Sequence, residues 1–299
     1  MNTSSASSVG HSPALRRPRF AGLRRLARRF RRQRVPMFAL GYLVVLVLMA
    51  VCAPLLTSYE PDANNLRNTF KGPSGAHWLG TDDLGRDTFT RMLFAARISL
   101  LAAVQAVGVG MALGVVPGLV AGYVRGWVDT VVMRTTDVLM AFPPIILAIA
   151  IVGALGPNLT NAMLAVGVIF TPRFVRIVRS SVIQVREETY IDASKSIGTP
   201  ALGILRKRVL PNSISPLIVS GSLAAGTSMI AEATLSFLGL GVQPPQASWG
   251  SMVGRAVRHI DRAPLLIVFP GLAIALTVLA LNLVGDGLRD SLGRETLRS

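Results

Sequence analysis

Cysteine occurs once, at Cys52, and histidine three times, at His11, His77 and His259. A single thiol excludes an intrachain disulfide, and the scattered histidines lack the spacing of a metal site. The same counts leave no Ser–His–Asp or Cys–His pair for nucleophilic catalysis. Lysine is scarce, at Lys71, Lys195 and Lys207 only. There is no G-x4-G-K-[ST] phosphate loop, so the chain is not expected to hydrolyse ATP itself. Charged residues make up 15% of the chain, against roughly 25% in soluble domains.

Apolar residues fill the space left by charge. They form 51% of the 299 residues, and mean hydropathy is +0.51. Several runs approach or exceed the roughly 20 residues that cross a bilayer. The class is therefore all-α, a polytopic helical membrane protein. The net charge of +16 lies mainly in the flanks of apolar runs, where orientation bias places it, so nucleic-acid binding is set aside.

Residues 1–36 carry ten arginines and no acidic residue. Met1 to Pro13 is Ser-rich and reads as disordered. The apolar run from Met37 to Leu56 is of span length and reads as an uncleaved first span, its basic flank held in the cytoplasm for orientation and solubility, with contact to anionic lipid the less favoured role. Residues 57–96 read as an extracytoplasmic loop and pre-helix. Further spans are expected at about 98–124, 137–155, 159–178, 214–238 and 265–284, giving six. Alternation then puts the loop 179–213 and the tail 287–299 inside. It puts Gly239 to Arg262 outside, where Arg255, Arg258 and Arg262 run against the positive-inside bias.

Four features stand out within the spans. Glu232 lies in the fifth, where a carboxylate must face the bundle interior or a wet cavity. It reads as a wall of a translocation path or as a buried ion pair with Arg97 or Arg255. Asp137 opens the third span and is grouped with Glu232 as a candidate. Phe142-Pro143-Pro144 permits a kink. Gly110, Gly114, Gly118 and Gly122 form a small-residue ridge for close helix approach, within the chain or against a second subunit.

The longest polar helical stretch is Tyr190 to Asn212. Ile191, Ser194 and Ile197 share roughly one helical face. Gly198-Thr199-Pro200 breaks the helix, and Ala201 to Leu210 reads as a second short helix closed by Pro211. A helical hairpin between two spans is a shape for docking a partner.

Asp192-Ala193-Ser194, Gly198 and Leu210-Pro211 stand at the spacings of the cytoplasmic signature of ABC-importer permeases, E-A-A, three residues, G, nine residues, I-x-L-P. Asp replaces Glu, Ser replaces Ala, and Arg208 stands at the usual apolar position. Before the second span, Gly80-Thr81-Asp82, Gly85, Arg86 and Asp87 resemble the G-T-D-x-x-G-R-D segment of the C-type permease of bacterial dipeptide/oligopeptide ABC importers. Asp82, Arg86 and Asp87 can pair there at helical spacing, for a structural or subunit-contact role. AEATLSFLGLG and PPQASWGSM resemble the same family, and the likeness covers about residues 37–290.

The resemblance implies a type I ABC importer permease fold, with a permease core at 97–286. It implies a bacterial inner-membrane subunit with both termini cytoplasmic. Its partners would be a second, B-type permease, two cytoplasmic ATPases (or one fused) holding ATP and Mg, and an external solute-binding protein, with no cofactor on this chain. Asp192, Ala193, Ser194, Gly198, Leu210 and Pro211 would form the ATPase-coupling loop. Short peptides are the expected cargo; relatives of this architecture also carry nickel chelates, glutathione or haem. Two other classes fit the sequence less well. A gradient-driven transporter would show repeats and several intramembrane ionisable groups. An intramembrane enzyme or anchor would need a nucleophile and base, and the sequence offers no such pair.

Overall fold

The computed structural model describes residues 27–293, and no β-strand occurs among them. The Ser-rich segment Met1 to Pro13 and the last residues of the tail lie outside the described residues. In chain order the helices are α1 (Arg34–Val51), α2 (Ala53–Leu56), α3 (Thr88–Val124), α4 (Gly126–Ala141), α5 (Pro144–Leu155) and α6 (Leu159–Arg186). They continue as α7 (Thr189–Ser196), α8 (Ala201–Ile204), α9 (Leu210–Phe237), α10 (Trp249–Val257) and α11 (Leu265–Gly293).

Helices α1, α3, α6, α9 and α11 are long and apolar enough to cross a membrane, and α4 with α5 forms a sixth, broken unit bent by 93°. Topology gives the bent pair its role. Gly110 of α3 lies against Phe170 and Phe174 of α6, and Gly122 lies against Val182. The two helices therefore run parallel, and the chain between them must climb back to its starting level. Sixteen and twelve residues at near right angles span about 30 Å, the thickness of the hydrocarbon layer.

The expected third span at 137–155 is thus divided. Asp137 belongs to α4, and the break falls at Phe142-Pro143, both extended. Pro144 opens α5 at a position where its missing N–H costs nothing. Three other boundaries move. The second span starts ten residues early, at Thr88, because the Asp87 side chain caps it. The loop after Phe237 contains α10, capped reciprocally by Ser248 and Ser251. The hairpin's second helix does not stop at Pro211. A five-residue π-helical segment, Leu205–Val209, leads directly into α9, with Pro211 in the first turn of that helix. The wider turn carries the chain past the donor that proline lacks.

The glycine ridge packs within the chain. A Cβ added at Gly114, Gly118 or Gly122 would stand 2.7 Å from Phe174 Cβ, Val175 O or Val182 Cβ respectively. Gly108, on the same helix, has open space. The buried ends of this contact belong to a core of Phe174, Val178, Val182, Ile204, Val209 and Leu217. The remaining helices close on one another in antiparallel fashion. Gly285 of α11 meets Ser222 of α9, and Gly226 of α9 meets Asn282. Tyr42 Oη and Thr277 Oγ1, 3.1 Å apart, link α1 to α11. Gln33 donates to Gly287 O at 3.4 Å and to Ser291 Oγ at 3.2 Å. The two described ends of the chain therefore lie at one end of the bundle.

Gly118→Leu should destabilise the purified chain by about 1–3 kcal/mol or more through overpacking. Gly108→Leu should be neutral or slightly stabilising, because a glycine in a helix costs up to about 1 kcal/mol. Thermal unfolding in detergent separates the two; equal melting temperatures would place the ridge outside the core.

Candidate functional site

The hairpin of α7 and α8 has a buried underside and an exposed crest. Ile191, Ile204 and Val209 are buried against Phe174, Val178 and Val182 of α6 and Leu217 of α9. Ser194 is buried as well, and its hydroxyl donates to Tyr190 O at 2.7 Å. Gly198 has φ +76°, and Thr199 N–H donates to Ser194 O at 3.0 Å. This is the left-handed turn that ends a helix and satisfies its last carbonyls. Gly198 itself faces open space, so its requirement there is conformational.

Ile197 departs from the expected helical face. It is 82% exposed, while Ile191 is fully buried. The reason is local: α7 ends at Ser196, and the turn through Gly198 swings Ile197 outward. Leu202, at the start of α8, is 76% exposed, and Asp192 and Ala193 on α7 are exposed as well. The hairpin thus leaves two large apolar side chains and an acidic one uncovered. Sequence periodicity misplaces Ile197, because a residue one step beyond a helix end no longer follows the helical repeat. Leu210 and Pro211 lie at the start of α9, outside the hairpin's two short helices, with Leu210 half-buried and Pro211 exposed.

Arginines of α6 tie the base of the hairpin to its neighbours. Arg186 donates to Tyr123 O at 2.6 Å with its guanidinium 5.7 Å from the Tyr123 ring centroid. Arg125 and Glu187 pair at 3.0 Å. Arg179 grips Asp129 of α4 with two hydrogen bonds of 2.5 and 2.6 Å, the forked geometry that gives such pairs strength and direction. Asp137 pairs with Arg176 at 2.7 Å, both half-exposed. That partner was not foreseen, since nothing in the sequence places residues 39 apart side by side.

Glu232 is 1% exposed and has no arginine partner among the described residues. The expected pairing with Arg255 or Arg97 is corrected. Arg255 is engaged by Asp83 at 2.9 Å, and Arg97 is exposed. Glu232 instead accepts a hydrogen bond from Ser236 Oγ at 2.6 Å, one turn along α9. Ser248 Oγ lies 3.5 Å from Ser236 Oγ, and the next residue, Trp249, donates to Ser99 Oγ and Met92 O of α3. The carboxylate is held in a polar seam between α9, α10 and α3.

The segment before α3 is a closed loop rather than a helix. Asp82 accepts from Leu84 N and Arg86 N at 2.9 and 3.0 Å and pairs with the Arg86 guanidinium at 2.6–2.7 Å. Asp87 accepts from Thr90 N and Thr90 Oγ1 and meets His77 Nδ1 at 2.9 Å. Gly85, with φ +72°, approaches so closely that a Cβ there would lie 1.8 Å from Asn65 O.

Two family models match the sequence. Residues 114–298 match the binding-protein-dependent transport system inner membrane component, and residues 23–73 match the N-terminal TM domain of oligopeptide transport permease C. The chain belongs to this permease family. It is a C-type permease of the peptide-importer group with the type I importer permease fold. Glutathione transport system permease protein GsiD of Escherichia coli O157:H7 is 47% identical over 269 residues, 89% of this chain and 88% of that protein. The GsiD proteins of Shigella sonnei and Shigella boydii match equally. Among solved structures, an inward-facing form of the MetNI methionine ABC transporter aligns with a TM-score of 0.53 at 17% identity, covering 66% of this permease and 94% of that chain. That likeness concerns the fold.

Ile191→Asp should release the hairpin, because an unpaired carboxylate replaces a fully buried side chain. Limited proteolysis of membrane vesicles should then cut between Glu187 and Pro200 at least about tenfold faster, a factor equivalent to about 1.4 kcal/mol. Ile197→Asp should leave the cutting rate unchanged. Equal protection of both variants would show that the hairpin is not anchored through Ile191.

Proposed function

We propose that this permease forms, with a second B-type permease, the membrane path of an ATP-driven importer for short peptides, glutathione among them. The hairpin crest is the surface that docks a cytoplasmic ATPase. The observation that carries this reading is the hairpin's two-sidedness. An isolated surface loop does not bury Ile191, Ile204 and Val209 while leaving Ile197 and Leu202 bare; exposed large apolar residues on an anchored hairpin suit a partner's groove.

The hairpin end also holds both described chain ends and most of the arginines outside the spans. Positive-inside bias assigns that end to the cytoplasm. ATP and Mg reside on the ATPases, and this chain contributes no catalytic group. An external solute-binding protein delivers cargo at the opposite end. Closure of the ATPases pushes the hairpin, which shares one core with α6 and α9. The Arg179–Asp129 and Arg176–Asp137 pairs carry the displacement into α4 and its 93° bend. Asp192 contacts a basic residue of the ATPase, and Gly198 permits the turn between the two short helices. The peptide cargo is supported by the oligopeptide permease match over residues 23–73 and by the GsiD relatives. Glutathione is itself a short peptide.

The test is copurification and transport in proteoliposomes. Ile197→Glu combined with Leu202→Glu should leave the permease folded and paired but reduce bound ATPase at least about tenfold, the loss typical of one interface hot spot of about 1.4 kcal/mol or more. Gly198→Asp should stay in the membrane and lose ATP-coupled uptake, since left-handed backbone costs a non-glycine residue about 1–2 kcal/mol. Uptake of glutathione or dialanine that survives ATP depletion and collapses with the proton gradient would overturn the reading.

A further inference from the structure

One exposed face of the bundle is polar at membrane depth. On α6, Arg173, Arg176, Ser180 and Gln184 recur at the three- and four-residue spacing of one helical face, and all are exposed. On α4, Thr130, Arg134 and Asp137 do the same. The Arg176–Asp137 pair, at 2.7 Å with both side chains about half-exposed, sets the two stripes side by side. The neighbouring Arg179 is neutralised by Asp129. Neither Arg134 nor Arg173 has an acidic partner within salt-bridge distance among the described residues.

Arg173 fixes the depth. It stands 14 residues beyond Leu159, where α6 begins, about 21 Å along the helix axis. The hydrocarbon layer is about 30 Å thick, so an α6 that enters at Leu159 holds Arg173 within it. An unpaired arginine facing lipid at that depth is expensive; such residues face water or a partner. The lipid-facing surface of this chain looks different. Helix α1 exposes Val44, Leu48 and Val51, and α11 exposes Leu272, Leu276 and Leu279. No charged residue occurs in 37–51 or in 265–285.

We infer that the α4–α6 face lines a water-filled path from mid-membrane to the hairpin end, and that its surplus of arginine favours peptides of net negative charge. Arg134, Arg173 and Arg176 stand there against a single carboxylate, Asp137. Arginine-lined pores select anions, and charge of one sign on a low-dielectric wall concentrates ions of the other sign. The second permease closes the path from across the water. The inference deepens the peptide-cargo reading above and rests on it for what passes along the wall. A dipeptide with an acidic side chain fits this charge, as does glutathione, whose carboxylates outnumber its ammonium group. The wall also separates two residues that the sequence grouped together: Asp137 belongs to it, and Glu232, buried among serines, does not.

The test uses the assembled importer, this chain with its second permease, ATPases and binding protein, in proteoliposomes with reagent on both faces. Cys52→Ala removes the native thiol, and Ser180→Cys or Leu276→Cys supplies a reporter. Ser180→Cys should react with the anion sulfonatoethyl methanethiosulfonate about tenfold faster than with the cation trimethylammonioethyl methanethiosulfonate, each rate taken relative to a free thiol. Leu276→Cys should react with neither. Arg134→Gln combined with Arg173→Gln should remove most of that preference, and should lower alanyl-aspartate uptake about tenfold relative to alanyl-lysine uptake. A Ser180→Cys thiol that reacts in the isolated chain but not in the importer makes this face a contact with the second permease and overturns the path. Equal rates for the two reagents, or equal loss of the two peptides, overturns the charge selection. Charge-selective labelling in an importer that moves no peptide supports the wall and refutes the peptide cargo.

Discussion

The parallel contact between α3 and α6 is the constraint on which the rest of the bundle depends. Four glycines at four-residue spacing strip side chains from one face of α3, and Phe170, Phe174, Val178 and Val182 fill the space. In a membrane no hydrophobic gain separates helix–helix from helix–lipid contact, so close backbone approach and packing supply the cohesion. Once two consecutive long helices run parallel, the intervening chain must recross the bilayer. The sequence had only 28 helical residues and two prolines with which to do it. The bend at Phe142-Pro143 follows from that requirement.

The lower half of the same contact carries the hairpin. Phe174, Val178 and Val182 face α3 on one side and Ile191, Ile204 and Val209 on the other. A load on the hairpin crest is therefore delivered to side chains that already fix the two central helices. Close-packed groups of this kind move together or rearrange in steps; they do not deform smoothly. The arginine–aspartate pairs along α6 extend the unit to α4. Exposed pairs contribute little stability individually, but their direction is specific, and here both join α6 to α4, on the near side of the bend.

At the opposite end, cohesion is polar. Asp82, Asp87 and Arg91 knit the loop onto the start of α3, Asp83 reaches α10, and Trp249 returns to α3. Buried polar groups of this density hold only when each finds partners. Most do. The Thr88 hydroxyl, at the start of α3, is buried without a hydrogen bond.

The number of apolar runs, the basic flanks, the glycine ridge and the Gly–Thr–Pro break were all legible in the sequence. Each expresses a local rule: span length, charge bias, small-residue spacing or backbone freedom. The hairpin's existence was legible for the same reason, but its crest was not. Ile197 was assigned inward by periodicity, and only the turn at Gly198 reveals that it points out. The extra helix after Phe237 was missed because its capping serines lie in a segment rich in turn residues. The sequence by itself determined a polytopic helical permease with a polar helical hairpin, because hydropathy and backbone rules act over short stretches. Tertiary structure alone decided which helix the glycine ridge faces, that Asp137 meets Arg176, and that Glu232 lies among serines instead of beside an arginine. Those outcomes join residues tens to hundreds of positions apart, and no local rule specifies such a pairing.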